Sequence, residues 1–313
     1  MWSSTRRGPF AGENRKAEQE TLQDSGYLFN HHRRSVRRPG LLGARVRAGS
    51  TGSPPTAGVG DGILIHPDKA FFAIGDGSDR NPRAVRRVME GFSAILDGLT
   101  DLKAGRTYRE DEAAILRESV PLAAAMLIRD LCPSDGCTFT GVLLFRTGNG
   151  LQGLMFHAGD SMLYRIDTED GTVRRLTENN FWFVGRADRF SQVEEFSLEA
   201  SSRLIFATDG FAALLPSGEG NGKELGEICR RYPVEEIPDR LFDLYDRPGQ
   251  VLDDAAVLCL DPAGPTGCSP PFILGGTSAA EEQRRREKFE ECPPGDGYEI
   301  HLPGAREGSP DIY

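Results

Sequence analysis

The sequence predicts an α+β fold in which helices cover antiparallel sheets. Three observations support this. Short apolar runs are separated by tight-turn residues, two long stretches carry helical spacing, and a second helix-rich insert precedes the last apolar run.

Residues 62–65 and 70–74 read as two strands joined at His66-Pro67-Asp68, a turn signal between apolar runs that favours a hairpin. Asn81-Pro82 then opens a helix, because Asn caps and Pro suits the first helical position. Val85, Val88, Met89, Phe92, Ile95 and Leu96 follow on one face. A second helix spans 110 to about 131, with a kink or break expected at Pro121, whose ring removes a helical hydrogen bond. Strands are expected at 138–146, 153–158, 162–167 and 173–176, with turns at Gly148-Asn149-Gly150 and Glu169-Asp170-Gly171. More strands follow at 193–198, 204–208 and 255–260, and the helical insert lies between Phe211 and Tyr245. No internal repeat is visible.

Residues 1–58 are basic, polar and rich in Gly and Pro. They read as a tail or linker carrying one candidate strand at 41–46. Residues 59–261 have globular patterning. Residues 262–313 return to Gly, Pro and charge and read as a mobile tail with one exposed helix at 279–289. At 313 residues and 38% hydrophobic content, the chain has enough apolar material for a real core.

A formal net charge of -10 argues against a nucleic-acid groove, which needs clustered Lys and Arg; it suits a site that concentrates cations. The six cysteines lack the paired C-x-x-C spacing of a zinc site and fit a reducing compartment. No apolar run is long enough for a membrane span, and the basic N-terminus has no apolar segment of a secretory signal behind it. A cytoplasmic protein with no membrane or nucleic-acid partner is expected.

Acidic residues stand where apolar strands begin or end: Asp61, Asp76-Gly77, Asp160, Asp209 and Asp253-Asp254. In antiparallel neighbours, the end of one strand lies beside the start of the next, so these carboxylates can reach one sheet edge. Hard oxygen donors gathered there suit Mg²⁺ or Mn²⁺. Singly, each Asp-Gly or Gly-Asp is more often an ordinary turn.

As an ordered series, the motifs resemble a known family. Phe71-Phe72-Ala73-Ile74-Gly75-Asp76-Gly77, Gly136-Cys137-Thr138, Phe156-His157-Ala158-Gly159-Asp160-Ser161 and Leu176-Thr177-Glu178-Asn179 are similar, in order, to segments of the PP2C-type (PPM) metal-dependent serine/threonine protein phosphatases. So are Leu204-Ile205-Phe206-Ala207-Thr208-Asp209-Gly210 and Asp253-Asp254-Ala255-Ala256-Val257. The resemblance implies a four-layer α-β-β-α sandwich, two antiparallel sheets flanked by helices, with two Mg²⁺ or Mn²⁺ ions at one end. It implies that Asp76 bridges the ions, that Asp61 and the Gly77 carbonyl help hold one, and that Asp209 and Asp253 hold the other. Asp160 matches the position supporting a third, weaker ion. Asp76 and Asp209 would then be catalytic through metal-activated water acting on a phosphoprotein substrate. No covalent nucleophile is required, so Ser78, Ser161 and the cysteines read as structural or neutral.

The chain departs from the family in two places. The family's phosphate-binding Arg is missing near Thr56; Arg45 and Arg47 are candidate substitutes but read as tail residues. Ser78-Asp79-Arg80 replaces a glycine-rich continuation. His157 reads as a structural histidine, and Trp182 and Phe183 as closing the core rather than forming a substrate lip. These departures motivate an alternative, a catalytically weak or inactive relative that binds a phosphoprotein or another partner. A nuclease is disfavoured because no basic groove is evident.

Overall fold

The computed structural model describes residues 35–47, 49, 58–78, 82–130, 136–212, 221–245, 253–264, 269–278 and 299–301. Thirteen strands are described: β1 (Ser35–Arg38), β2 (Leu42–Arg47), β3 (Val59–His66), β4 (Phe71–Gly75), β5 (Phe139–Thr147), β6 (Gly150–Ala158), β7 (Met162–Asp167), β8 (Val173–Arg175), β9 (Gln192–Leu198), β10 (Ser202–Ala207), β11 (Ala255–Leu260), β12 (Phe272–Thr277) and β13 (Glu299–His301). The helices are α1 (Pro82–Gly98), α2 (Glu110–Asp130), α3 (Asp209–Ala212), α4 (Asn221–Arg231) and α5 (Ile237–Tyr245).

The strands form two antiparallel sheets, ordered β13-β1-β2-β11-β10-β7-β8 and β12-β3-β4-β5-β6-β9. Side chains alternate between two destinations, as the strand period of two requires. Ile63, Ile65, Phe72, Ile74, Val142 and Leu144 face the space between the sheets, where they meet Leu204, Phe206, Ala256, Leu258 and Leu260. Their neighbours Leu64, Phe71, Ala73, Leu143 and Phe145 turn outward against Val85, Val88, Met89 and Phe92 of α1 and Leu116 and Val120 of α2. On the other side, Ile205, Ala207, Val257 and Cys259 pack under Leu225, Ile228, Leu241 and Phe242 of α4 and α5. The result is the expected α-β-β-α sandwich. Strands buried on both faces carry few polar residues, which explains their near-continuous apolar runs.

The boundaries expected at 58 and 261 are corrected. β1 and β2 belong to the seven-stranded sheet, and β2 lies in its interior, paired with β1 and β11. The sequence Leu42-Gly43-Ala44-Arg45-Val46-Arg47 alternates: Leu42, Ala44 and Val46 enter the core, while Gly43 lies against the Glu235 carbonyl. The arginines face α5, with Arg45 ion-paired to Asp239 at 3.3 Å and stacked 4.6 Å from the Phe242 ring centroid. The strand expected at 41–46 is present, but it belongs to the sheet and not to a tail, and its outer face is basic because an acidic and aromatic helix covers it. Beyond 261, β12 pairs with β3 at the edge of the six-stranded sheet.

Two smaller expectations also change. α2 continues through Pro121 without a break. Asp61, expected before its strand, lies within β3. The helix expected at 279–289, the Thr56 position, Asp79 and Arg80 lie outside the described residues. Among the described residues, no helix is long and apolar enough to cross a membrane.

Candidate metal centre

The β3–β4 register pairs Gly62 with Gly75, so continuing it one step sets Asp61 opposite Asp76. Both share the strand parity of Ile63 and Ile74 and so belong to the face between the sheets. From the opposite sheet, Thr208 at the end of β10 donates its hydroxyl to Asp61 Oδ2 at 2.8 Å, while Ala256 N–H donates to Thr208 Oγ1 at 2.8 Å. One threonine thus pins the carboxylate of one sheet to the backbone of the other. The next residue, Asp209, opens α3. Gly210 follows because a side chain there would strike the Asp254 carbonyl, a Cβ lying only 1.8 Å from that oxygen.

Asp253 and Asp254 are adjacent but perform different tasks. Asp254 is buried and accepts backbone N–H bonds from Gly49 (2.7 Å) and Gly60 (2.6 Å), closing the approach from β2 to β3. Asp253 is exposed and accepts the Asp254 N–H. On the third side, Thr138 Oγ1 accepts the Asp76 N–H at 3.0 Å and lies 2.7 Å from Ser161 Oγ, next to Asp160. Gly159, at φ +110°, allows Thr138 to pack there, since a Cβ would come within 2.6 Å of it. Gly77 bridges Cys137; the two bonds flanking that bridge run from Ser78 N to Gly136 O and from Thr138 N to Asp76 O, leaving the Gly77 carbonyl outside this ladder.

The structure therefore brings Asp76 within electrostatic range of Asp61, Asp160, Asp209 and Asp253. Burial, then the charges of Asp76 and Asp254, raises Asp61 well above the usual carboxylate range. Asp76 is pushed up to about 8, by burial first and then by Asp209, with Asp253 and Asp160 adding to it. Asp209 is raised by burial, then by Asp160 and Asp253. Asp61 Oδ1 is buried with no donor aimed at it, while Oδ2 accepts from Thr208. Like-charged carboxylates that face each other in a buried register position disfavour each other's ionisation, and a cation between them would relieve that. The residues thus fit a divalent metal. Among the described residues, no three His, Cys, Asp or Glu side chains close on one point, and the donor set suits Mg²⁺, which keeps several waters and takes one or two carboxylates.

Neighbouring groups are excluded from the chemistry. His157 is fully buried, with Nδ1 2.8 Å from Thr140 Oγ1 and Nε2 2.9 Å from the Glu178 carbonyl; burial lowers its pKa to about 4, so it is a neutral structural residue. Burial and the Asp76 charge raise the Cys137 thiol, which leaves no thiolate.

Sequence reasoning misplaced two features of this edge. Arg47, at the end of β2, is paired in register with Ala255, two residues past Asp253, so it belongs to the same edge and not to a tail. Trp182 is 40% exposed and Phe183 is half-buried, so Trp182 does not close the core. The alternation of β2 was the available signal for the first; no sequence signal marked the second.

No protein-family model and no curated protein matches the sequence. Solved structures do. The PPM Ser-Thr phosphatase MsPP from Mycobacterium smegmatis aligns at 19% identity with a TM-score of 0.50, over 70% of this chain and 97% of that one. A bacterial serine phosphatase aligns at 14% identity and TM-score 0.52, over 72% and 99%. The fold is that of the PP2C-type phosphatases. PppA, a key regulatory component of T6SS in Pseudomonas aeruginosa, shares it at 16% identity and TM-score 0.51, over 72% and 98%. The likeness is one of fold, at 14–19% identity over 70–72% of this chain.

Proposed function

We propose that this chain is a metal-dependent phosphoprotein phosphatase acting on phosphoserine or phosphothreonine. The observation that carries the reading is the buried Asp61–Asp76 pair, opposed across two strands and surrounded by Asp209, Asp160 and Asp253 on a PP2C fold. Asp76 would be shared between two Mg²⁺ or Mn²⁺ ions, with Asp61 and the Gly77 carbonyl on one, Asp209 and Asp253 on the other, and Asp160 on an additional weaker site. When bound, the ions supply a water of lowered pKa and neutralise the charge of the phosphoryl oxygens. The chain's own contribution is positional. Thr208 orients Asp61 and Thr138 fixes the Asp76 backbone, while Arg47 turns to the outer face over the Phe242 ring. The described cysteines, Cys137, Cys229 and Cys259, are free and buried, in keeping with a reducing cytoplasm.

The test is turnover of p-nitrophenyl phosphate with Mn²⁺. Hydrolysis abolished by EDTA and reduced at least ~100-fold by Asp76→Ala with Asp209→Ala is expected; turnover indifferent to both overturns the mechanism. The absence of a closed chelate among the described residues favours a second reading, a regulatory protein that binds phosphoproteins without hydrolysing them, and PppA shows that a chain of this fold can be named for regulation. Phosphopeptide binding without turnover would identify it.

A further inference from the structure

α2 is apolar on two sides. Ala113, Leu116, Val120, Ala124 and Ile128 are buried in the cluster that α2 shares with the six-stranded sheet and α1. Ile115, Leu122 and Met126 point the other way and are 65%, 65% and 60% exposed. A helix that covers a sheet ordinarily carries one apolar stripe and sets polar residues opposite it. α1 follows that rule, exposing Arg83, Arg87 and Asp97. On α2, Leu122 stands two turns after Ile115 and Met126 one turn further, so the three side chains form a second stripe. The attachment of α2 to the domain does not use it. That attachment is made by the buried face and by Arg117, which pairs with Glu110 at 2.6 Å and with Glu195 of β9 at 2.7 Å.

Two charges belong to the outer stripe. Glu118 lies between Ile115 and Leu122, and Arg129 follows Met126. Both are exposed, and among the described residues neither has an ion pair or a side-chain hydrogen bond. They stand about 16 Å apart along the axis, so they cannot meet within one helix. Ile115, Glu118, Leu122, Ala125 and Arg129 succeed one another at spacings of three and four, the seam along which two helices pack.

The seam is complementary to itself in one direction only. Along the axis, Glu118 and Met126 lie about 6 Å to either side of Leu122, and Ile115 and Arg129 about 10.5 Å. An antiparallel copy, related by a two-fold axis through Leu122, sets Leu122 on its own counterpart. It also brings Ile115 diagonally beside Met126 and Glu118 diagonally beside Arg129, each twice by symmetry. A parallel copy would instead oppose like charges.

We propose that the outer face of α2 is a homodimerisation surface on which two copies of this chain pack their α2 helices antiparallel about Leu122. The inference uses no residue of the carboxylate edge and is independent of the phosphatase reading. One helix per copy offers less contact than the ~1,200 Å² or more that stable complexes bury, so a weak dimer is expected, with a dissociation constant of about 30 µM.

Sedimentation velocity of the full chain from about 1 to 300 µM brackets that constant. The average mass is expected to rise from 34.2 kDa towards twice that value. Leu122→Glu, which places two acids on the axis, should hold the chain monomeric throughout. Glu118→Arg should weaken the dimer by at least about tenfold, and Glu118→Arg combined with Arg129→Glu should recover most of the loss, because the diagonal pair is restored with its signs exchanged. All three positions are exposed, so the melting temperature of each variant should match the wild type at concentrations where it is monomeric. A wild type that remains monomeric at the highest concentration, or a dimer that survives Leu122→Glu, overturns the proposal. So does a loss on Glu118→Arg that Arg129→Glu fails to repair, or no loss at all.

Discussion

Asp76 and Asp61 lie opposite each other in a buried register position, and burial with neighbouring negative charge disfavours the ionised form of both. A structural carboxylate would have been given N–H donors, as Asp254 was by Gly49 and Gly60. This yields a prediction about one residue. Without divalent ions near pH 8, Asp76→Asn should stabilise the protein by on the order of 1 kcal/mol, raising Tm by about 2–4 °C, because an amide removes one charge from the cluster. The same variant should lose the Tm increase that Mn²⁺ gives the wild type. Differential scanning calorimetry with and without Mn²⁺ reads both; a destabilised variant that still responds to Mn²⁺ would refute the assignment. The sequence shows Asp253-Asp254 as equivalent letters, and only the partners around each separate the exposed acid from the buried one.

At the scale of elements, β2 marks the limit of composition as a guide. A window of basic, Gly- and Pro-rich sequence contained a strand whose inner positions, Leu42, Ala44 and Val46, complete the core between the sheets, and whose outer Arg45 satisfies Asp239. A chain cut to residues 59–261 should therefore lose its cooperative thermal transition, since it exposes the β11 edge and leaves Asp239 buried without Arg37 and Arg45. A chain spanning 35–301 should retain the transition. Circular dichroism melting distinguishes the two, and a cooperative melt of the shorter chain would show that β2 is dispensable. The helices were the more legible elements, because α1 repeats its apolar residues at helical spacing and needs no distant partner to be recognised.

For the whole molecule, the raised carboxyls and the depressed histidine set opposite pH windows. A carboxyl whose folded pKa exceeds its unfolded value binds its proton more tightly in the native state, so its stabilising effect is lost as pH rises. For Asp76 that loss runs from near 4 to about 8. His157 behaves in the opposite sense: neutral in the fold, it costs stability as pH falls from its ordinary 6.5 towards about 4. Between about pH 4 and 6.5 the Asp76 and His157 effects oppose each other, and above 6.5 only the carboxyl loss continues, so the metal-free protein should lose stability as pH rises from about 6.5 to 8. Added Mn²⁺ should raise Tm more at pH 8 than at pH 5, because ionised carboxylates are its ligands. Thermal melts across pH with EDTA or Mn²⁺ check this, and a Mn²⁺ effect independent of pH would contradict it. What the sequence determined by itself was local: strand alternation, helical spacing, and the order of the acidic motifs, each carried by neighbours in the chain. Tertiary structure decided the rest. The β3–β4 register and the stacking of two sheets set Asp61 against Asp76 and moved Arg47 from an apparent tail to the site edge. Those outcomes depend on partners far along the chain, whose distances no local pattern encodes.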